Sequence, residues 1–542
     1  MKKDLILHPF LFAIFIVLAP LAHNIIDVRF AGLRALLITV AASIVIVIFA
    51  RLIIHDTVRA ALVSSGIIIL VFSYGHVESL IEDFISGNSV IGEAIILPIW
   101  IILFVLWTFW VTKQLKSPAA LSRYLNAVSL LLVIFPIYRI ISYTRNSSVI
   151  NPYASEYQVI TWKDNDLVQI QSIRKAQAVN SLPDIYYIIL DGYTRADILE
   201  ELYGYDNSDF VSFLEDRDFY VANESRSNYT DTVFSISSAL NMMHINTLPE
   251  YIQQNHGSSD FGTLKDASSV LIQDNRISSF LKQQGYKIIT FDSGYDRIKV
   301  KISDQYLRSP NIEASNMQAA FDLMLLDSSI GRTFFRHFRG EDFSPYQSLF
   351  NDHRERILFT FRHLADFAEL DGNYFIFAHI LSPHSPYVFG PNGEERNAVD
   401  PYTLLDSETD YRWSPDLYRD QVIYINKLAK VTIDQILEKS DVPPIIILQA
   451  DHSSRSYRQK DEDTKMKLLF PILNAYHLPN VDQSSLYSTI TPVNSFRIVL
   501  NSYFGSDLNL AADTSYLLED AGGKSIFIEA CRESNICSLG RN

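Results

Sequence analysis

The first 145 residues are dominated by five long apolar runs, whereas the rest of the chain alternates between short apolar and mixed segments. The runs cover residues 5–21, 33–54, 60–80, 90–111 and 121–142. A transmembrane helix needs about 20 mostly apolar residues, so this pattern predicts a membrane domain of about five helices over residues 1–145. A signal peptide that begins with Lys2 and Lys3 would explain the first run but none of the next four.

The charges between the runs predict how this bundle is oriented. Lys and Arg residues lie before the first run, around the second loop and in the fourth loop, whereas the charged residues of the third loop are all acidic. By the positive-inside rule, the N-terminus is cytoplasmic. Everything after about residue 142 is then periplasmic or extracellular, as in a multi-pass cell (inner) membrane protein. Arg29 and Arg34, in the first loop, run against the rule.

Beyond a polar connector at residues 146–182, short apolar strands alternate with longer helical stretches. The predicted strands are residues 185–190, 287–291, 374–378 and 444–448, and the clearest helices are residues 277–284, 352–370 and 418–439. Alternation of this kind is typical of an α/β domain with a mostly parallel sheet flanked by helices. We expect this domain to cover residues 183–510 and a C-terminal tail to cover residues 511–542.

Charge and cysteine content narrow the function. The net charge of −15 argues against a nucleic-acid partner, because phosphate backbones require clustered Lys and Arg. Cys531 and Cys537 are the only cysteines, too few for a thiolate zinc site. In an exported domain they are expected to form a disulfide, and the alternative is two free thiols.

Three of the predicted strands are followed by residues that bind metals or transfer protons. Asp191 follows the first strand, His379 and then His384 follow the third, and Asp451 with His452 follows the fourth. Sites in open α/β sheets form beyond the carboxyl ends of the strands, so these side chains are expected to converge. Taken singly, each is more often a turn or helix-capping residue.

The segment SNYTDTVFSISSALNM, residues 227–242, supplies candidate nucleophiles. Its hydroxyls precede or open a short predicted helix at residues 235–243, and they belong to Thr230, Thr232, Ser235, Ser237 and Ser238. A helix N-terminus offers N–H groups to an anion, and a hydroxyl beside a divalent cation can lose its proton and attack phosphorus or sulfur. The competing interpretation is an ordinary helix N-cap.

These elements resemble the alkaline-phosphatase/sulfatase superfamily over about residues 183–504. Within it, the chain is most similar to membrane-bound lipoteichoic acid synthases and lipid A phosphoethanolamine transferases, which also carry five transmembrane helices before an exported catalytic domain. The matching motifs are YYIILDGYTR with Asp191, Thr-x-x-Ser-aliphatic beginning at Thr232, HILSPHSPY with His379 and His384, and IIILQADHSS with Asp451 and His452.

The resemblance implies roles for these residues. Asp191, Thr232, Asp451 and His452 would bind a divalent metal, most readily zinc or manganese, with magnesium or calcium as alternatives. Thr232 would be the nucleophile, and Thr230 and Thr194 are its competitors. His379 and His384 would bind the substrate phosphate or a second metal, and His384 would hold the phosphate or protonate the leaving group.

The chain also departs from its relatives. It lacks the C/S-x-P-x-R motif from which sulfatases make formylglycine, which argues against sulfate-ester hydrolysis by that route. The usual Asp-His-Gly becomes Asp451-His452-Ser453, and the catalytic-domain cysteines of the lipid A enzymes are missing. The next histidine, His477, is expected to be structural.

Three functions follow from this resemblance. The first is a phospho-group transferase that forms a phospho-threonine intermediate. It would take phosphoglycerol or phosphoethanolamine from a phospholipid in the membrane and pass it to an extracytoplasmic glycan or lipid. The second is a phosphate- or sulfate-ester hydrolase with water as acceptor. The third is a non-catalytic protein of envelope-polysaccharide assembly.

Overall fold

The computed structural model describes residues 5–23, 32–84, 89–161, 182–312, 316–334, 347–396, 414–454 and 462–530. The chain forms two compact units. Unit 1 comprises Met1–Asn146, Ala314–Leu349 and Ala398–Tyr402, and unit 2 comprises Ser147–Glu313, Phe350–Asn397 and Thr403–Asn542. Cys531 and Cys537 lie outside the described residues.

Unit 1 is helical. The N-terminal helices are α1 (His8–His23), α2 (Gly32–Ile54), α3 (Thr57–Phe84), α4 (Ser89–Phe109, followed by a π-helical turn at Trp110–Gln114) and α5 (Pro118–Thr161). The last four are long and apolar enough to cross a membrane. Helix α5 belongs to unit 1 up to Asn146 and to unit 2 from Ser147. Helix α1 has only 16 residues, fewer than a full span needs. The predicted helical bundle is confirmed, and the count of five spans stays a prediction.

A segment from the middle of the chain also belongs to unit 1. Helix α12 (Asn316–Asp327) packs Phe321 and Leu325 against apolar residues of α1 and α2. The residues that follow α12 approach the backbone of α3. There Ile330 donates a backbone hydrogen bond to the Val71 carbonyl (2.8 Å), and Gly75 donates one to the Ser328 carbonyl (3.1 Å).

Unit 2 contains a seven-stranded sheet in the order β2-β7-β6-β1-β5-β3-β4. The strands are β1 (Ile185–Leu190), β2 (Phe219–Val221), β3 (Lys287–Phe291), β4 (Gln305–Leu307), β5 (Tyr374–Ile380), β6 (Ile445–Gln449) and β7 (Asn474–His477). All neighbouring pairs are parallel except the two that involve β7. The mostly parallel sheet is confirmed, and the three central strands β6, β1 and β5 are fully buried.

Helices flank this sheet, as expected for an α/β domain. The longer ones are α6 (Ala196–Tyr203), α7 (Ser208–Glu215), α8 (Thr232–Asn241), α9 (Leu248–His256), α10 (Phe261–Gln273), α11 (Arg276–Gln283), α13 (Gln347–His363), α14 (Pro415–Lys439), α15 (Glu462–Leu469) and α16 (Pro492–Phe504). An antiparallel hairpin of β8 (Ser515–Asp520) and β9 (Ser525–Ala530) follows, within the segment expected to be a tail.

Candidate functional site

Three side chains meet where the central strands of the sheet end. Strand β1 lies between β5 and β6, all three parallel, so their carboxyl ends share one edge. Asp191 follows β1, His379 is the last residue but one of β5, and Asp451 follows β6. One ligand atom from each lies within 4.8 Å of the others, all three side chains are buried, and the group is suited to hold a metal ion.

Backbone donors fix the orientation of the Asp451 carboxylate. Its Oδ1 accepts hydrogen bonds from the N–H groups of His452 (2.9 Å) and Gly192 (3.2 Å). Gly192 has φ +70°, a left-handed turn that favours glycine. The other oxygen, Oδ2, and Oδ1 of Asp191 are buried and accept no hydrogen bond from any described residue.

His452 presents one ring nitrogen to this group. Its Nδ1 lies 2.7 Å from the Ser453 carbonyl, which can only accept a hydrogen bond, so Nδ1 carries the proton and Nε2 is left as the electron-pair donor. Nε2 lies 3.4 Å from Asp191 Oδ1, 3.5 Å from Asp451 Oδ2 and 3.3 Å from the hydroxyl of Thr232.

The electrostatics of the group favour a cation. Burial by itself lowers the pKa of His379, but the carboxylates of Asp191 (3.1 Å) and Asp451 (3.9 Å) outweigh burial and raise that pKa to about 9. Burial likewise raises the pKa of Asp451, and the imidazoles of His452 and His379 reverse this and hold it well below its usual range. Two carboxylates buried together need positive charge to offset them.

The donor set therefore fits a divalent metal. The buried oxygens of Asp191 and Asp451 that accept no hydrogen bond, together with imidazole nitrogens, are ligands that suit zinc or manganese. His379, which the sequence motifs place in the substrate-binding group, is a member of this donor set. Its position inside β5 brings it there, since β5 extends two residues beyond the predicted strand.

Thr232 is the first residue of α8, three residues before the predicted start of that helix. Asp231 caps the helix by accepting a hydrogen bond from the Val233 N–H (3.1 Å). The ammonium group of Lys265 lies 3.2 Å from the Asp231 carboxylate, with both side chains largely buried. Thr232 thus stands at the positive end of a helix dipole, beside an Asp231–Lys265 ion pair that sequence reasoning missed.

His384 lies on the loop after β5, close to the group but not within it. Its backbone N–H donates to the Asp191 carbonyl (2.9 Å), and its ring centroid is 6.1 Å from that of His452. Its Nδ1 lies 2.6 Å from the Ser385 carbonyl. By the same reasoning as for His452, Nε2 is the nitrogen that can exchange a proton with a ligand.

The remaining candidates have structural contacts. The Thr194 hydroxyl donates to the Pro471 carbonyl and accepts from Ser453. The Ser235 hydroxyl donates to the Tyr229 carbonyl, and His477 bonds the Pro444 carbonyl, at the opposite, amino end of β6. The structure therefore gathers Asp191, Thr232, His379, Asp451 and His452, with His384 beside them.

One more strand ends in a carboxylate that sequence reasoning overlooked. Asp292 directly follows β3, but Arg356 (3.3 Å) and Arg308 (3.7 Å) neutralise it and the Tyr306 hydroxyl donates to it. Although the side chain is largely buried, Arg356 and these hydrogen bonds lower the pKa of Asp292. A strand-ending aspartate can therefore be a structural ion-pair partner as well as a metal ligand.

Comparisons with known proteins give only distant structural matches. No protein-family profile and no curated protein matches the sequence. The chain is similar to the zinc complex of the periplasmic domain of EcEptC from Escherichia coli (11% identity, TM-score 0.40, 65% of this chain and 94% of that one). It is also similar to the lipoteichoic acid synthase LtaP from Listeria monocytogenes (12%, 0.36, 68% and 88%).

A third match extends over the membrane helices as well. It is the integral membrane protein lipooligosaccharide phosphoethanolamine transferase A from Neisseria meningitidis, at 13% identity and a TM-score of 0.37, and it covers 92% of this chain and 94% of that one. At such TM-scores the overlap is loose, so function must be inferred from the side chains of this chain's own site. A lipoteichoic acid synthase and a phosphoethanolamine transferase are also the kinds of protein that the sequence motifs resemble.

Proposed function

We propose that this chain is a membrane-anchored, metal-dependent phosphotransferase whose nucleophile is Thr232. It would take a phosphoglycerol or phosphoethanolamine group from a phospholipid and transfer it to an extracytoplasmic glycan or lipid. The observation that carries the proposal is the position of the Thr232 hydroxyl, 3.3 Å from His452 Nε2 at the first position of α8 and beside the buried Asp191–His379–Asp451 group.

The metal would be held by Asp191, His379, Asp451 and His452. When bound, it would supply positive charge that favours loss of the Thr232 proton near neutral pH. The protein supplies orientation: Asp451 is fixed by two backbone N–H groups and His452 by its bond to the Ser453 carbonyl.

In the first half-reaction, the Thr232 oxygen forms a bond to phosphorus and the bond between phosphorus and the lipid alcohol breaks. The positive end of the α8 dipole would favour the charge on the phosphoryl oxygens. His384 would protonate the departing lipid oxygen through Nε2. In the second half-reaction, an acceptor hydroxyl attacks phosphorus and gives its proton to His384 Nε2, which restores the acid. The bond between phosphorus and the Thr232 oxygen then breaks.

The membrane helices favour a lipid donor, because a lipid head group is already concentrated at the membrane surface. The proposal also places unit 2 outside the cytoplasm, as the loop charges predict. A reporter fused after Asn542 would test this placement. Activity of a reporter that works only outside the cytoplasm is expected, and activity only of a cytoplasmic reporter would contradict it.

Hydrolysis is the alternative that shares this first half-reaction. With water as acceptor, the same phospho-threonine would be cleaved and the head-group phosphate released. The two are separated by the fate of the phosphoryl group: turnover that continues without added glycan or lipid acceptor favours a hydrolase. A non-catalytic role would leave Thr232 unmodified in every condition.

The decisive experiment is mass spectrometry of Thr232 after the purified full-length protein is mixed with vesicles. Vesicles of phosphatidylglycerol and of phosphatidylethanolamine are tested separately, in the presence of zinc or manganese. We expect a phosphoglycerol or phosphoethanolamine adduct on the peptide that contains Thr232, with the adduct mass identifying the donor.

Two variants control this measurement. Thr232→Ala should fold, keep most of its metal and form no adduct, whereas Thr230→Ala should still form it. If Thr230→Ala is the inactive variant and Thr232→Ala is active, the nucleophile is misassigned by two residues. If both variants keep normal turnover, the covalent mechanism is wrong.

A further inference from the structure

The C-terminal hairpin makes hydrogen bonds and ring contacts with the segment that carries Thr232. These contacts are not used in the chemistry proposed above. Strands β8 and β9 pair with each other and not with the seven-stranded sheet. A lone two-stranded hairpin is at best marginally stable in water. What it packs against therefore decides whether it is ordered.

Backbone and side-chain hydrogen bonds tie the start of the hairpin to residues 227–229. Tyr516 donates its N–H to the Asn228 carbonyl (2.8 Å), and the Asn228 amide donates to the Thr514 carbonyl (2.8 Å). The Ser515 hydroxyl donates to the Ser227 carbonyl (2.7 Å). The residues just before the nucleophile are thus bonded to β8 as if they were a short added strand.

Aromatic contacts extend this attachment to both sides of Thr232. The buried Tyr229 ring stacks on Tyr516 (centroids 5.6 Å apart) and meets Phe527 edge-on (4.9 Å). Phe527 also meets Phe234 edge-on at 5.2 Å. One side chain of β9 therefore contacts the ring three residues before the nucleophile and the ring two residues after it.

Tyr229 links these contacts to the geometry of α8. Its carbonyl accepts the Ser235 hydroxyl (2.9 Å), inside the first turn of the helix, and its own hydroxyl accepts the Ile245 N–H (2.7 Å), beyond the end of the helix. A shift of Tyr229 would move both ends of the ten-residue helix that begins with Thr232.

We infer that the hairpin of residues 515–530 is a positioning element that holds Thr232 in register with the metal-binding group, with Phe527 and Tyr516 as its positioning residues. This rests on the proposed function of Thr232. The described contacts of the hairpin include none of the residues proposed to hold the metal. The hairpin acts by fixing the backbone around the nucleophile, where a misplacement of about 1 Å can lower turnover about 100-fold.

The test compares three variants of the full-length protein in detergent or vesicles. Phe527→Ala removes the ring shared by Tyr229 and Phe234, and Phe527→Leu restores apolar volume at the same place. Ile526→Ala is the matched control, because Ile526 is the neighbouring residue of β9 and is 42% exposed. Each is assayed for diacylglycerol release from mixed phosphatidylglycerol and phosphatidylethanolamine vesicles, for metal content, and for amide exchange of residues 228–240.

For Phe527→Ala, the expected result is a kcat about 10- to 100-fold lower, with KM and metal content close to those of the unsubstituted protein. Amide exchange of residues 228–240 should be faster. Phe527→Leu should recover most of the kcat, and Ile526→Ala should keep kcat and exchange unchanged. An unchanged kcat in Phe527→Ala, or a loss of metal in parallel with activity, would overturn the positioning role.

Failure of the proposed function gives a different outcome. If the unsubstituted protein never forms a Thr232 adduct, the phosphotransferase proposal fails, and amide exchange alone then decides on the hairpin. Faster exchange confined to residues 228–240 in Phe527→Ala would support the positioning role of Phe527, and unchanged exchange would refute it.

Discussion

Among the described residues, one group of charged side chains in each unit shows a different way of balancing buried charge. In unit 2, the strand-end group of Asp191, His379, Asp451 and His452 places two carboxylates together, with only imidazoles facing them. In unit 1, the α3 group consists of Glu78, fully buried on α3, with Asp327 and Arg332 from the segment that ends and follows α12.

The α3 group contains its own counter-charge. A guanidinium nitrogen of Arg332 lies 4.0 Å from the Glu78 carboxylate and another lies 3.2 Å from Asp327. Charged side chains in membrane segments are rare and usually paired, and here the pairing joins a distant segment to α3. The strand-end group has no Lys or Arg counter-charge among the described contacts of its carboxylates. The α3 group carries a permanent positive charge, that of Arg332. The carboxylates of the strand-end group face only imidazoles, and its donor set could hold a metal ion.

The largest effect should come from removing a carboxylate of the strand-end group. Asp451→Asn should lose most bound metal and reduce turnover by more than about 100-fold. Loss of a residue that only supports a metal ligand costs up to about 100-fold, and loss of a ligand itself should cost more. Elemental analysis and the diacylglycerol assay measure both. Asp292→Asn is the matched control, because Asp292 also ends a strand but is neutralised by Arg356. Equal metal loss in both variants would refute the distinction.

Breaking the α3 group should affect folding and leave the metal in place. Arg332→Gln leaves Glu78 and Asp327 without their shared cation and should lower the free energy of unfolding by about 3 kcal/mol. Glu78→Gln should cost less, because Arg332 keeps Asp327. Thermal unfolding in detergent gives the stability, and metal content per folded molecule is expected to be unchanged. Metal loss without a change in stability would contradict the comparison.

Removal of the metal tests the strand-end group without a mutation. Chelation should destabilise the protein by about 2.7 kcal/mol, relative to free metal at 100 times its dissociation constant. The melting temperature of Asp451→Asn should respond little to the chelator, whereas that of Arg332→Gln should still fall. Equal responses of the unsubstituted protein and Asp451→Asn would mean that the metal, if bound, is held elsewhere.

The smallest effect is expected at a second ion pair of unit 1. Arg34 of α2 pairs with Asp322 of α12, and the Arg34 side chain is 56% exposed. Exposed pairs contribute roughly 0–1 kcal/mol, so Asp322→Asn should shift the unfolding free energy by less than 1 kcal/mol. Exchange of the two charges, Arg34→Asp with Asp322→Arg, should restore it. If Asp322→Asn lowers the free energy of unfolding as much as Arg332→Gln does, the exposure of Arg34 is a poor guide to the strength of this pair.

The sequence by itself determined the parts of the protein that local patterns encode. Apolar runs of spanning length predicted α2 to α5, and short apolar segments between helical stretches predicted β1, β3, β5 and β6. Because parallel strands end at one edge of a sheet, the positions of Asp191, Asp451 and His452 after such strands predicted that they would meet. The length and spacing of apolar segments are enough to predict these helices and strands, because each element is determined mainly by residues close to it in sequence.

Tertiary structure decided which of these residues have partners from elsewhere in the chain. The strand-ending positions of Asp191 and Asp292 look equivalent in the sequence, and only the arrival of Arg356 on α13 makes one of them an ion-pair partner. The segment around α12 lies in sequence between parts of unit 2 and packs in unit 1, where Asp322 pairs with Arg34, one of the two arginines that contradicted the loop-charge rule. The sequence predicts only a tail at residues 511–542, where the structure has the hairpin of residues 515–530. The hairpin is not visible in the sequence because it packs on Tyr229 and Phe234, nearly 300 positions earlier. Such contacts depend on the packing of distant elements, which no local period records.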